Sequence, residues 1–209
     1  MNAIPTRREA RRQEREKAIL EVARDSFLKE GYAATSMSAI ASELGGSKTT
    51  LWSYFPSKEA LFAAVLEAEI GRFRDELIAT LAPSGQVEDT LRRFSTALLG
   101  KITHPHSIRL HRIIAGEVER FPEIGRIFYE RAPKQTQKRL AGYLGDAMER
   151  GQLRSTDPML AAQQLVALLQ AQLYPRRLWG VETGTQGSIA DEVEAALDTF
   201  LRAYAPDAE

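Results

Sequence analysis

Along nearly the whole of this 209-residue sequence, apolar side chains recur at three- and four-residue spacing, and no strict alternation of the kind a half-buried strand requires takes over. That periodicity confines the chain to an all-α fold. In the segment 15–30, Ile19, Val22, Ala23 and Phe27 share one face and charges cover the rest, so an amphipathic helix is expected there, stopped by Gly31. Two much shorter helical segments follow. The first, 37–44, turns Met37, Ile40, Ala41 and Leu44 inward; the second, from Lys48 to about Tyr54, turns Leu51 and Phe55 inward.

Between the short segments stands Gly45-Gly46-Ser47. Glycine can take the backbone geometry that ends one helix and turns sharply into the next, and a serine is a ready N-cap for the second. Two short helices across a tight turn are the signature of a helix-turn-helix. The outward face of the second helix carries Lys48, Thr49, Thr50 and Ser53. These side chains are short or cationic, as a major groove requires, where hydroxyl and ammonium groups meet base edges and a threonine methyl meets thymine. Spacing alone also fits an ordinary helical hairpin with a hydroxyl-rich exposed face.

Pro56-Ser57 ends this unit, and a helix capped by Ser57 starts at Lys58-Glu59-Ala60. Its apolar face, through Leu61, Phe62, Val65, Leu66, Phe73 and Leu77, outruns a small N-terminal domain and should join two parts of the molecule. After the break at Ala82-Pro83-Ser84-Gly85, helices are expected near 86–102, 107–119, 123–149, 157–179 and 188–204, punctuated by Pro105, Pro122, Pro158 and the stretch from Gly184 to Gly187. The expected organisation is a basic arm over 1–14, a helix-turn-helix domain over 15–60, a larger helical body over 61–204, and a tail over 205–209.

Composition narrows the function classes. The chain has no cysteine, which removes disulfide scaffolds, thiol nucleophiles and cysteine-rich zinc sites. It also lacks a glycine-rich phosphate loop and a serine elbow, so an enzyme would be left with isolated carboxylates and histidines. His104, His106 and His111 have no carboxylate at convincing ligand spacing; neither a metal site nor a cofactor is expected. No apolar stretch suits a signal peptide or a membrane span, and a soluble cytoplasmic protein is the economical reading. Although the formal net charge is zero, the first 17 residues hold six basic side chains (Arg7, Arg8, Arg11, Arg12, Arg15 and Lys17) against three glutamates. Such a cluster serves either as a solvated arm or as phosphate attraction beside a DNA-reading element.

The run from Gly31 to Ala41, then Leu44-Gly45, Ser47 to Phe55 and Ser57 to Leu61, resembles the N-terminal domain of the tetracycline-repressor (TetR) family in order and spacing over roughly residues 15–62. The resemblance implies a homodimer whose recognition helices enter successive major grooves of a palindromic double-stranded operator. It also implies site residues. Thr35, Ser36 and the backbone amides opening the helix at Met37 would face phosphate; Lys48, Thr49, Thr50 and Trp52 would face bases or adjoining sugar-phosphate; Tyr54 and Lys58 would face phosphate. Trp52 stands where family members commonly have tyrosine, and it keeps a ring and one N–H donor without the hydroxyl.

The segment 113–132 resembles the C-terminal domain of the AefR-like repressors, a subset that points to repression of efflux or quorum-related genes. In regulators of this kind the body encloses an apolar or amphipathic small-molecule effector, and His111, Phe121, Phe128, Tyr129, Gln170, Tyr174 and Trp179 are the expected lining. The last two expected helices, with Leu160, Leu165, Leu168, Leu169 and Leu173 on one and Ile189, Val193, Ala196, Leu197, Phe200 and Tyr204 on the other, either close the chain's own core or pair with a second copy; the resemblance implies the pairing. The expected function is a repressor released from its operator by the effector. An activator or effector-independent regulator of the same fold stays open, and a helical enzyme or interaction module is the remote rival.

Overall fold

The structure is a computed structural model that describes residues 6–81, 86–181 and 187–206. The breaks expected at 82–85 and at 184–186 therefore lie outside the described residues. In chain order the helices are α1 (Arg7–Ala34), α2 (Met37–Glu43), α3 (Lys48–Tyr54), α4 (Lys58–Ala79), α5 (Val87–Ile102), α6 (Pro105–Glu117), α7 (Pro122–Arg131), α8 (Pro133–Glu149), α9 (Pro158–Leu168), α10 (Leu173–Trp179) and α11 (Ile189–Tyr204). Among the described residues there is no strand, and no helix is long and apolar enough to cross a membrane.

Three boundaries differ from expectation, the first two for a local reason. The helix expected from 15 begins at Arg7, because Thr6 and Glu9 form a reciprocal capping box: the Glu9 N–H donates to Thr6 Oγ1 and the Thr6 N–H to the Glu9 carboxylate. Most of the expected basic arm is thus the first two turns of α1. The single helix expected over 123–149 is two, split at Pro133, which has no N–H to donate, after a non-helical Ala132 (φ −111°, ψ −83°). The helix expected over 157–179 is also two, with residues 169–172 between them.

The chain forms two compact units: residues 1–70 with 113–128, and residues 71–112 with 129–209. In the first unit α1 contributes Ile19, Ala23 and Phe27, α2 contributes Met37, Ile40 and Ala41, α3 contributes Leu51, and α4 contributes Leu61, Phe62, Val65 and Leu66, all buried. Residues 113–128 add Ile114 and Ile124. Tyr32 lies at the middle of an aromatic group, its ring centroid 5.7 Å from Phe27, 5.1 Å from Phe62 and 5.1 Å from Phe121. Ring pairs of this kind add about 0.5–1.5 kcal/mol each beyond their area burial.

The second unit is built on α5, α8, α9 and α11. Phe94, Leu91 and Leu99 from α5, Leu140 and Leu144 from α8, Leu165 and Leu169 from the α9 end, and Val193, Leu197 and Phe200 from α11 share one core. Leu165, Leu169, Leu173, Val193, Ala196, Leu197, Phe200 and Tyr204, the residues whose spacing suggested an interface, therefore close this chain's own core. Leu168 and Ile189 are half-buried against that core, and Leu160 is the exception, at 45% exposure.

Charges hold the short α10 at both ends. The Glu192 carboxylate, buried on α11, accepts from the N–H groups of Gln172 (2.8 Å) and Leu173 (2.9 Å). At the other end Arg112 donates to the carbonyls of Leu178 (2.8 Å) and Arg177 (2.6 Å), and Arg177 in turn donates to the Thr103 carbonyl that closes α5. Negative charge at a helix N-terminus and positive charge at its C-terminus both match the helix dipole. Glu192→Ala strands two N–H groups, so it should lower unfolding stability by about 2–3 kcal/mol. Urea denaturation should show that loss, with Glu192→Gln intermediate; unchanged midpoints would contradict this account of α10.

Candidate nucleic-acid interface

The geometry of the helix-turn-helix begins with one backbone angle. Gly45 has φ +60°, a conformation that strains residues with a Cβ. With it, the Gly46 N–H donates to the Ala41 carbonyl (3.1 Å) and the Gly45 N–H to that of Ser42 (3.0 Å), the paired bonds of a Schellman end. Ser47 then caps α3, its hydroxyl accepting from the Thr50 N–H at 3.1 Å and lying 2.9 Å from the Thr50 hydroxyl. Arg15, from the early turns of α1, donates to the Leu44 carbonyl at 3.2 Å and so finishes the C-terminus of α2. Its neighbour Arg12 lies over the Tyr54 ring, 5.7 Å from the centroid. Sequence spacing gave no sign of either contact, since partners 29 and 42 residues apart leave no periodic trace.

The turn aims α3 outward on one side. Leu51 and Phe55 are buried, while Lys48, Thr49, Thr50, Trp52 and Ser53 are exposed together, Trp52 at 47%. Tyr54 is half-buried. Ser36 is exposed at the N-cap of α2, where its hydroxyl accepts from the Ala39 N–H. The Met37 side chain is buried, so only its backbone remains for an outside contact.

Two residues expected to face phosphate are used inward. Thr35 is 2% exposed and its hydroxyl donates to the Gly31 carbonyl at 2.8 Å, closing the turn after the break in α1. Lys58 is half-buried; its ammonium donates to the Ala33 carbonyl (3.3 Å) and lies 4.4 Å from the centre of the Tyr32 ring. Burial pulls the Lys58 ammonium below its ordinary range, opposed chiefly by the charge of Glu117. The Tyr32 phenol is held well above its ordinary range, by burial first and then by the carboxylates of Glu59 and Glu123.

The residues expected to line an effector pocket divide between the units. His111 and Tyr174 meet in the second unit, ring centroids 5.5 Å apart and edge to face, and Gln170 is half-buried in the break before α10. Burial pulls the His111 imidazole down to about 4 and raises the Tyr174 phenol. Tyr129 and Trp179 are exposed, at 50% and 77%, so neither stands as the wall of an enclosed cavity in the single chain. Phe121 belongs to the first unit, packed on Tyr32, and Phe128 is half-buried in that same unit.

Comparison with known proteins agrees with this geometry. Residues 19–65 match the model of bacterial regulatory proteins of the tetR family, and residues 89–206, more than half of the chain, match the C-terminal domain of the AefR-like transcriptional repressors. The solved structure of a flavonoid-responsive regulator, FrrA, is 37% identical and superposes with a TM-score of 0.80 over 94% of this chain and 100% of its own. A TetR-family regulator from Mesorhizobium loti is 26% identical, with a TM-score of 0.78 over 92% of this chain and 98% of its own. The HTH-type transcriptional regulator YhgD of Bacillus subtilis is 25% identical over 166 residues, covering 77% of this chain and 83% of YhgD. With a glycine-turned helix-turn-helix, an all-helical body and family models covering both, the chain belongs to the TetR family of DNA-binding transcriptional regulators, with an AefR-like C-terminal domain.

Proposed function

We propose that this chain is a homodimeric repressor that reads a palindromic operator and leaves it when a small amphipathic effector binds the helical body. The observation that carries the reading half is the exposed α3 face, Lys48, Thr49, Thr50 and Trp52, on a helix whose other side is buried through Leu51. Lys48 and Thr49 suit base edges; Trp52 suits the adjoining sugar-phosphate through its ring and N–H. Ser36, the first amides of α2 and Tyr54 suit phosphate, which sets register without reading sequence. The helical extension of α1 with Arg7, Arg8 and Arg11 adds salt-dependent attraction. Acting on DNA places the protein in the cytoplasm, and no catalytic role is assigned to it.

Dimerisation is proposed through the outward faces of the chain's final helices. On α9 these carry Leu160, Gln163 and Ala167, and on α11 Ala195, Thr199 and Ala203, all exposed. Small and apolar side chains let two helix pairs approach closely, and a two-fold operator requires a two-fold protein. Trp179 and Val181, exposed at 77% and 58%, extend the same apolar supply beyond α10.

For the effector, His111 and Tyr174 supply a neutral ring and a phenol side by side in the helical body, a suitable lining for a small aromatic molecule with hydroxyl groups. Likeness to FrrA, a regulator named for its response to flavonoids, supports that class. Effector and operator would then weaken each other's binding by the same factor.

Genomic fragments should be selected with the purified protein and the retained duplex titrated with and without a flavone, a flavanone and an isoflavone. Selective, salt-dependent binding is expected, weakened about tenfold or more by Lys48→Ala and Thr49→Ala, since a good base contact is worth about 1–3 kcal/mol. Release by one of the three compounds supports the effector class; retention of the complex by all three overturns it, and no selective duplex at low salt overturns the function. His111 adds a pH signature. Its folded pKa, about 4, lies below the ordinary 6.5, so the unfolded chain binds the proton more readily. Stability should therefore fall as pH drops from 6.5 through 4, by up to about 3 kcal/mol. His111→Phe should flatten that part of the pH–stability curve; an unchanged slope would contradict the burial of His111.

A further inference from the structure

The chain enters the helix-turn-helix through residues 31–36, where the helical hydrogen-bond ladder is interrupted. Gly31 (φ +85°, ψ 171°) interrupts α1, residues 32–34 add one last turn, and Thr35 and Ser36 run extended into α2. A non-helical residue interrupts the i→i−4 ladder, so the amides after it need other partners. Ala33, whose side chain is exposed, is not held by packing. Instead, both of its backbone polar groups meet charged side chains. Its N–H donates to Glu117 Oε1 at 2.9 Å, and its carbonyl accepts from Lys58 Nζ at 3.3 Å.

Each charge has the sign that its backbone group calls for, and bonds to ionised partners are roughly twice as strong as neutral ones. Glu117 ends α6 beside the break in α1: a Cβ built on Gly31 would stand 3.2 Å from Glu117 Oε1. Lys58 opens α4, with its ammonium over the Tyr32 ring and 5.8 Å from the centre of Phe121. Ser36 lies three residues beyond Ala33, so the chain has a reach of only about 10 Å in which to absorb any shift before α2 begins. The Gly45 turn then passes that placement from α2 to α3.

We propose that Glu117 and Lys58 are positioning residues for DNA reading, clamping Ala33 from its two sides and so fixing how the chain enters the helix-turn-helix. This rests on the reading role proposed for α3. It assigns a use to Glu117, and it assigns Lys58 to the protein's own backbone in place of the phosphate contact that the family resemblance implies.

Charge alone predicts the opposite sign. Removing a carboxylate from a DNA-binding unit should strengthen binding to every duplex, whereas loss of a positioning clamp should weaken operator binding and leave non-specific binding unchanged or stronger. The full-length protein and its Glu117→Ala, Glu117→Gln and Lys58→Met variants can be compared by residue-resolved amide hydrogen exchange. Their affinities for the selected operator and for a scrambled duplex can be measured over a range of salt.

Glu117→Ala should speed exchange at the Ala33 amide about tenfold and weaken operator binding about tenfold without weakening binding to the scrambled duplex. Glu117→Gln keeps a carbonyl acceptor and should recover part of both. Lys58→Met should weaken operator binding with an unchanged salt slope. Unchanged exchange at Ala33, or tighter binding of Glu117→Ala to both duplexes, would overturn the role of Glu117. A salt slope reduced by about one in Lys58→Met would overturn that of Lys58, since it marks a lost phosphate contact. A wild-type protein that selects no duplex would sink the reading function and the positioning role together, while the exchange comparison would still report whether the clamp exists.

Discussion

Burial of Tyr32 among Phe27, Phe62 and Phe121 ties together the pieces on which the DNA-reading unit depends. The ring follows immediately after Gly31, at the point where α1 breaks, and α2 must start within a few residues of it. Phe62 brings in the first turns of α4, and Phe121 brings in a segment that lies almost ninety residues downstream of Tyr32. Once that cluster is packed, Lys58 is held over the Tyr32 ring and the backbone at Ala33 lies within reach of Glu117. The recognition helix itself has only seven residues, too few to be stable in isolation, so its orientation is set by the burial of Leu51 and Phe55 and by its caps.

The second unit solves a related problem with charge. A seven-residue α10 follows a break in what the sequence presents as one continuous helix, and its ends need partners that neither neighbour in sequence supplies. Glu192 and Arg112 provide them from α11 and α6. The arrangement leaves His111, adjacent to Arg112 in the chain, against Tyr174 of α10, which places a neutral imidazole and a phenol together in the helical body.

Much of this was legible in the sequence wherever the signal was local. Gly45-Gly46-Ser47 announced the turn, and the alternation of Leu51 and Phe55 with Lys48, Thr49 and Thr50 gave the buried and exposed sides of α3. The Asp157-Pro158 start of α9 was equally plain, its carboxylate accepting from the Met159 N–H. What could not be read were contacts between distant residues. The inward use of Thr35 and Lys58, the cap that Arg15 places on Leu44, and the removal of Phe121 to the first unit all depend on the tertiary fold. Periodicity also could not tell a core face from an interface face, and apart from Leu160 the apolar rows of α9 and α11 pack in or against the core.

Together these features describe a helix-turn-helix whose second helix is seated through buried Leu51 and its caps, entered from a segment that aromatic packing at Tyr32 and the charges of Glu117 and Lys58 surround. The most direct test of the central claim is a hydroxyl-radical footprint of the full-length protein on the duplex it selects. The account predicts two symmetric protected patches whose centres lie about one helical turn, or about 34 Å, apart. A single unsymmetric patch, or protection that is the same on scrambled DNA, would contradict it.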